Sequence, residues 1–235
     1  MSTGSLFLIP VSLGETINEK LFPDFNLRLI NELEHLVVEN ERSARRFIRS
    51  TGSQRDLNKL ELIHLDKRTA QHEISEPIEL LLQGKDVGLM SEAGCPGVAD
   101  PGQILIAEAH NYNVKVVPLI GPSSILLGLM ASGLNGQGFT FHGYLPIDKH
   151  ERTRKLKELD SQVSRTEFTQ IFMETPYRNQ QLFEDVIRVC HNQHKLCVAV
   201  DITMSSEEIK TQQINEWKAN SIHLHKRPCM FLLGN

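Results

Sequence analysis

Aromatic residues are scarce in this chain, 6% of 235 positions with a single tryptophan, so composition offers no stacking platform for nucleobases. Paired cysteines are missing too. The four that occur, Cys95, Cys190, Cys197 and Cys229, are scattered without any C-x-x-C, which excludes a disulfide framework and a zinc ribbon and suits a reducing cytoplasm. The pairs His191 with His194 and His223 with His225 lack neighbouring cysteine or carboxylate partners, so no metal is expected. An excess of positive charge is absent: the formal net charge is −4, which argues against a generally basic nucleic-acid binder and leaves room only for local patches. Uninterrupted apolar runs are absent as well. No Asp, Glu, Lys or Arg occurs from Val116 to Ile147, but Pro118, Gly121, Pro122, Gly128, Gly133 and Gly136 break that stretch, short of the roughly 18 continuous apolar residues of a membrane span. Met1 to Gly4 carries no basic residue and Pro10 interrupts the apolar run that follows, so no secretory signal is expected. The expectation is a soluble, cytoplasmic protein.

What is present is a loop, Ser91-Glu92-Ala93-Gly94-Cys95-Pro96-Gly97-Val98-Ala99-Asp100-Pro101-Gly102, after the short apolar run Val87 to Met90. Its glycines and prolines leave backbone amides and carbonyls open to whatever docks there. Asp100 predicts an N-cap and Pro101 an N1 residue for a helix running to Tyr112. Strand, glycine-rich loop and capped helix make the ligand-binding corner of an open α/β sheet; the same spacing also describes an ordinary strand-to-helix turn. The loop matches neither G-x-G-x-x-G nor a P-loop and holds no Lys or Arg. Its charges, Glu92 and Asp100, suit a ligand with a cationic or hydrogen-bond-donating part.

Strands and helices alternate along the chain. Strands are expected at Ser5–Pro10, His35–Val38, Glu61–Leu65, Asp86–Met90, Lys115–Leu119, Glu167–Met173, Lys195–Ile202 and Cys229–Leu233. Helices are expected at Asn26–Leu33, Ser43–Thr51, Ser75–Gln83, His150–Leu159 and Tyr177–Cys190, with a small-residue helix after Gly121-Pro122-Ser123-Ser124. This rhythm predicts an α/β fold of two domains, 1–143 and 144–235, with mainly parallel or mixed sheets. The join falls near Gly143 to Ile147, and a cleft between two such domains is the expected ligand site.

Several ordered motifs resemble the tetrapyrrole (corrin/porphyrin) methylase superfamily, and more narrowly its ribosomal RNA small-subunit methyltransferase I branch. They are the glycine-rich loop with Asp100-Pro101-Gly102, Pro118-Leu119-Ile120-Gly121-Pro122-Ser123, Phe141-His142-Gly143-Tyr144-Leu145-Pro146, Phe172-Met173-Glu174-Thr175-Pro176-Tyr177-Arg178, and the opening strand Leu6 to Pro10. The resemblance implies a homodimer of two-domain subunits that binds S-adenosylmethionine (SAM). It points to Pro10, Glu92, Cys95, Ser123, Ser124, Met173 and Cys229 as cofactor contacts. A sulfonium and an ammonium group agree with a loop that has carboxylates and no cation. Cys95 also reads as a small buried residue and Ser123 as a helix cap.

The resemblance further implies methylation of ribosomal RNA at the ribose 2′-hydroxyl of a cytidine. For such an acceptor Glu174 is the candidate general base, and Arg178 would position it or contact a phosphate. An ordinary helix-start salt bridge explains the pair equally well. Arg42, Arg45, Arg46 and Arg49 form a basic stripe along one helix, and Arg152, Arg154, Lys155 and Lys157 a second; each is either a solvated face or a track for a phosphate backbone. The chain departs from the branch at Pro10 to Glu15, Glu39 to Arg42 and Asp66 to Arg68, and ends at Asn235 without the extension many relatives carry. These departures bear on the acceptor more than on the cofactor. A methyltransferase for a tetrapyrrole or other small metabolite, and a SAM-binding module without catalysis, are the competing functions.

Overall fold

A computed structural model describes residues 2–14, 21–65, 74–220 and 222–235. Of the expected departures from the family, Glu15 and Asp66 to Arg68 lie outside these residues. The chain forms two compact units, Met1–Ser123 and Ser124–Asn235.

The first unit follows the expected alternation of strand and helix. Its elements are β1 (Ser5–Ile9), α1 (Asp24–Glu32), β2 (His35–Val38), α2 (Glu41–Ser50), β3 (Glu61–His64), α3 (Ser75–Leu82), β4 (Val87–Met90), α4 (Gln103–Asn111) and β5 (Lys115–Pro118). The strands make one five-stranded sheet in the order β3-β2-β4-β1-β5, with every pairing parallel. Strands β2 and β4 are buried at each position, as strands covered on both faces must be. Leu29, Ile30, Phe47 and Ile48 of α1 and α2 pack one core, while Ile78, Leu81, Leu105 and Ala109 of α3 and α4 pack the other. The chain leaves β1 toward β2 but leaves β4 toward β5, in opposite directions along the sheet. Neighbouring strands that diverge in this way open a crevice at their carboxyl ends.

The second unit contains α5 (Ser124–Ser132), β6 (Phe139–Tyr144), α6 (Lys149–Thr166), β7 (Thr169–Met173), α7 (Asn179–Val189), β8 (Lys195–Val200), β9 (Glu208–Gln213), α8 (Ile214–Trp217) and β10 (Cys229–Gly234). Its five strands run β6-β7-β10-β8-β9. Here only β6 and β7 pair in parallel, and the other pairings are antiparallel. One face carries the core of Leu156, Leu159, Val163, Phe172, Leu182, Phe183 and Phe231 beneath α6 and α7, with Phe172 and Phe231 stacked at 5.8 Å. Trp217 closes it, donating from Nε1 to the Leu196 carbonyl at 2.8 Å.

Several sequence expectations need correction. The boundary expected at 143/144 falls instead between Ser123 and Ser124. Helix α5 sets its Gly128 against Met230, Leu232 and Ile202, and β6 adds an edge to the second sheet, so both belong to the second unit. Helix α6 runs on to Thr166 rather than ending at Leu159, because Val163 continues its buried stripe. Its start is fixed by Asp148, whose Oδ1 accepts from the amides of His150 and Glu151, both at 2.9 Å. Strand β9 was missed, since Glu208-Ile209-Lys210-Thr211-Gln212-Gln213 is an edge strand with little apolar content.

Candidate functional site

Three loops meet at the carboxyl ends of β4, β1 and β5. An isolated antiparallel bridge joins Val11, just after β1, to Gly94 in the glycine-rich loop; the Val11 amide donates to the Gly94 carbonyl at 2.9 Å. The loop after β5 seats on the first through Gly121, whose missing side chain is required: a Cβ there would lie 2.3 Å from Cβ of Pro10. Asn26, buried on α1, donates from Nδ2 to the Ile120 carbonyl at 2.8 Å and pins the same turn. Pro10, Gly94 and the Gly121-Pro122-Ser123 turn are therefore brought together.

Each expected cofactor contact in this unit can now be placed. Pro10 is buried and supports Gly121. Glu92 is exposed at the loop rim, where its Oε1 accepts from the Ser43 hydroxyl at 3.4 Å. That contact sets the first turn of α2 beside the loop. Cys95 directs its thiol to the Pro122 carbonyl at 3.4 Å, and burial followed by the nearby Asp100 carboxylate pushes its pKa up. It joins the two loops as a neutral thiol. Ser123 is partly exposed at the rim.

Asp100 does not cap the helix as expected. Helix α4 begins at Gln103 after Gly102, and Asp100 Oδ1 instead accepts from the amides of Gly97 and Gly102, both at 2.8 Å. It braces the loop, with Oδ2 buried and without a hydrogen-bond partner. Burial raises its pKa, against the lowering effect of the two amides. A loop with carboxyl groups, open backbone and no cation fits SAM, whose sulfonium and ammonium groups are both positive.

In the second unit Met173 ends β7 and pairs with Met230 of β10, on the face opposite the Phe172–Phe231 stack. Ser124 opens α5. Cys229 opens β10. It belongs to the core beneath α6 and α7, its thiol faces the Arg227 carbonyl at 3.3 Å, and burial pushes its pKa up to about 12.

Glu174 follows β7 and is buried. Its Oε1 accepts from Arg178 Nη2 at 2.6 Å and from the Thr175 amide at 2.6 Å. Burial pushes its pKa up, but the bond from Arg178 and the Thr175 amide outweigh that effect and hold it below the usual carboxylate value. A general base works best with a pKa near the working pH. The pairing holds Arg178, which occupies the N-cap of α7, where a carboxylate offsets an unfavourably placed cation.

The two basic stripes differ in exposure. Arg42, Arg46 and Arg49 lie on the exposed side of α2, whereas Arg45 is half-buried and donates to the Leu57 carbonyl at 2.7 Å. On α6, Arg152 is not a surface cation. It is buried and donates from Nε and Nη2 to Asp185 at 2.8 and 2.6 Å. Ser43 and Asn26, which tie α2 and α1 to the loops, were not singled out from sequence, because short polar residues on helices carry no distinguishing pattern.

The family model for tetrapyrrole (corrin/porphyrin) methylases matches residues 26–217. The chain belongs to this family and is a SAM-dependent methyltransferase by class. Its relatives include proteins named ribosomal RNA small subunit methyltransferase I. The one from Halalkalibacterium halodurans is 26% identical over 99% of this chain and 76% of its own length, and the one from Pseudomonas aeruginosa 26% identical over 100% and 80%. The Vibrio cholerae protein is 36% identical, over 59% of this chain and 47% of its own length. Among solved structures, the methyltransferase CobJ shares the fold with a TM-score of 0.64 and 19% identity, over 99% of this chain and 95% of its own. Uroporphyrin-III C-methyl transferase from Thermus thermophilus, complexed with S-adenosyl homocysteine, gives 0.57 and 15%, over 99% and 98%. Among the described residues no helix is long and apolar enough to cross a membrane.

Proposed function

We propose that this chain transfers a methyl group from SAM to small-subunit ribosomal RNA, with the ribose 2′-hydroxyl of a cytidine as acceptor. The observation that carries the reading is the link between α2 and the glycine-rich loop. Ser43 joins the helix to Glu92, so a face bearing Arg42, Arg46 and Arg49 begins beside the loop that fits the cofactor. The names and extents of the relatives support the same acceptor class.

When bound, SAM supplies an activated methyl group on a sulfonium, so the protein's task is chiefly alignment, an effect that can amount to about 7–11 kcal/mol. Pro10, Glu92, Cys95 and Ser123 shape the cofactor corner, Glu92 supplies negative charge, and Ser124 and Met173 remain contact candidates. Glu174 orients Arg178, whose guanidinium engages an acceptor phosphate. Arg42 and Arg46 contact the RNA backbone, with Arg45 serving as the helix tie. We further propose a homodimer. Leu126 and Met130 on α5 are exposed, Met130 by 80%, and large apolar side chains left open on one helix suit a second copy.

The test is transfer of labelled methyl from SAM into an extract of cells lacking the protein, fractionated with and without ribonuclease. Label that follows small-subunit RNA and disappears with ribonuclease supports the proposal. Label in the small-molecule fraction favours the second reading, methylation of a tetrapyrrole or related metabolite. Binding of SAM without label in any acceptor points to a module without catalysis.

A further inference from the structure

We propose that Tyr144, Tyr177 and His225, grouped about Arg178, form a platform on which an unpaired nucleobase of the acceptor stacks. The inference rests on the RNA reading above and adds a binding site to it. Composition gave no hint of such a platform, because its members stand far apart in the chain.

Topology assembles them. Along β6 and β7 the register runs from Phe139–Thr169 to Phe141–Ile171 and then shifts, so that Tyr144 pairs with Met173. The shift is a bulge carrying Gly143 at φ 66°, a left-handed conformation open to glycine. Bulges of this kind re-aim side chains beside active sites. The result is that Tyr144 stands 52% exposed next to the residue before Glu174.

The chain then turns through Thr175 to Arg178, closed by the Arg178 amide donating to the Thr175 carbonyl at 2.9 Å. This turn presents Tyr177, which is 70% exposed. The loop carrying His225 is fastened against it at two points. The Lys226 amide donates to the Pro176 carbonyl at 2.9 Å, and Asn179 Nδ2 donates to the Arg227 carbonyl at 2.6 Å. Lys226 adopts φ 63° to do so, a strained conformation for a side-chain-bearing residue that persists only where its surroundings impose it. The Tyr177 and His225 rings meet edge to face, with centroids 6.3 Å apart at 75°.

Arg178 completes the group. Glu174 holds its Nη2, its Nε is buried without a partner, and its side chain is 40% exposed. Its pKa is raised, first by the bond to Glu174, with the Tyr144 phenol also contributing, so that phenol lies within electrostatic reach. Exposed tyrosines around a fixed guanidinium offer flat faces and a phosphate-binding fork together. Proteins read single-stranded RNA with such faces, whereas bases within a duplex are already stacked and cannot use them.

The test measures binding of the whole protein to a fluorescein-labelled single-stranded RNA and to its duplex, comparing wild type with Tyr144→Leu, Tyr177→Leu, Tyr144→Phe and Tyr177→Phe. Because both residues are exposed, the variants should melt as wild type does and bind SAM equally well. Stacking predicts that each Leu variant loses about 5- to 150-fold in single-strand affinity, that each Phe variant stays within about twofold, and that duplex affinity is unchanged. Leu variants that bind the single strand like wild type overturn the platform, as do Leu variants that lose single-strand and duplex affinity alike. If RNA is still methylated in either case, the RNA reading stands without it. Wild-type protein that binds neither RNA, with label entering small molecules, overturns both together.

Discussion

Glu174→Gln keeps the size and shape of the side chain and removes its charge, which separates a clamp from a proton acceptor. In the native protein this carboxylate holds Arg178 and the Thr175 amide at 2.6 Å each. The Glu174 side chain is 1% exposed, while that of Arg178 is 40% exposed. A hydrogen bond to a charged group contributes about 1.5–3 kcal/mol, and losing one partner of a fully buried ion pair costs about 3–5 kcal/mol. The stranded Arg178 can turn to water, so the larger range does not apply, and a loss of about 1–2 kcal/mol is expected after allowing for screening. Urea denaturation read by the single tryptophan would report it as a lower midpoint at unchanged slope.

Acid supplies a second readout. The native pKa of Glu174 is depressed, so its contribution is complete above the ordinary carboxylate value of about 4.3. It is lost as pH falls through the lower native value, where the folded state must also take up the proton. The Gln variant should lose that part of the acid slope. In methyl transfer, a clamp predicts a raised KM for the acceptor and a kcat reduced by less than about tenfold. A general base predicts a fall of about 10²–10⁴-fold in kcat with stability untouched. That second pattern would refute the clamp and return Glu174 to the chemistry.

Gly121→Ala forces a Cβ to within 2.3 Å of Pro10, an overpacking that should cost about 1–3 kcal/mol and weaken SAM binding in calorimetry; unchanged affinity would separate this turn from the cofactor corner. Asp185→Ala strands the buried Arg152, which now finds its carboxylate at 2.6 Å, and should cost about 3–5 kcal/mol in urea denaturation. Cys229, with its pKa near 12, should resist iodoacetamide in the folded protein at about pH 9, as mass spectrometry would show; ready alkylation would place the thiol outside the core. Replacing Arg42 and Arg46 together by Ala should reduce the slope of log affinity against log salt by about 1.4 for single-stranded RNA, and an unchanged slope would make that face of α2 merely solvated.

How much of this was legible in the sequence depended on whether a feature is local. The strands of the first unit follow from short apolar runs such as Leu36-Val37-Val38, and the glycine-rich loop from its own residues. The second sheet was harder. β9 carries polar residues at an edge, and β6 lies in a segment that reads as a linker, because Gly143 breaks its pattern. Asp100 satisfies backbone amides, as its residue type predicts, but within the loop rather than at the helix start: Pro101 and Gly102 let the chain turn once more before α4 begins. The basic stripe on α6 breaks at Arg152, because nothing in its spacing distinguishes a surface arginine from one aimed at Asp185, which stands in a different helix.

The same logic explains why Glu174 looked like a base. A carboxylate at the end of a strand has the right residue type for proton transfer, and its sequence neighbours match the family. What decides its chemistry is a partner one turn on. Arg178 and Glu174 form a pair in which burial and charge oppose each other, and the charge prevails. A carboxylate held this way is a firm support for the guanidinium, and a lowered pKa weakens it as a proton acceptor. In-line transfer from an already activated methyl donor asks more of alignment than of a base, so placing the acceptor is where this part of the chain has the most to contribute. Under the proposed reading the fixed guanidinium, the bulge at Gly143 and the fastened His225 loop all act on placement: the first is built within one motif, Glu174 to Arg178, and the other two through contacts between separated segments.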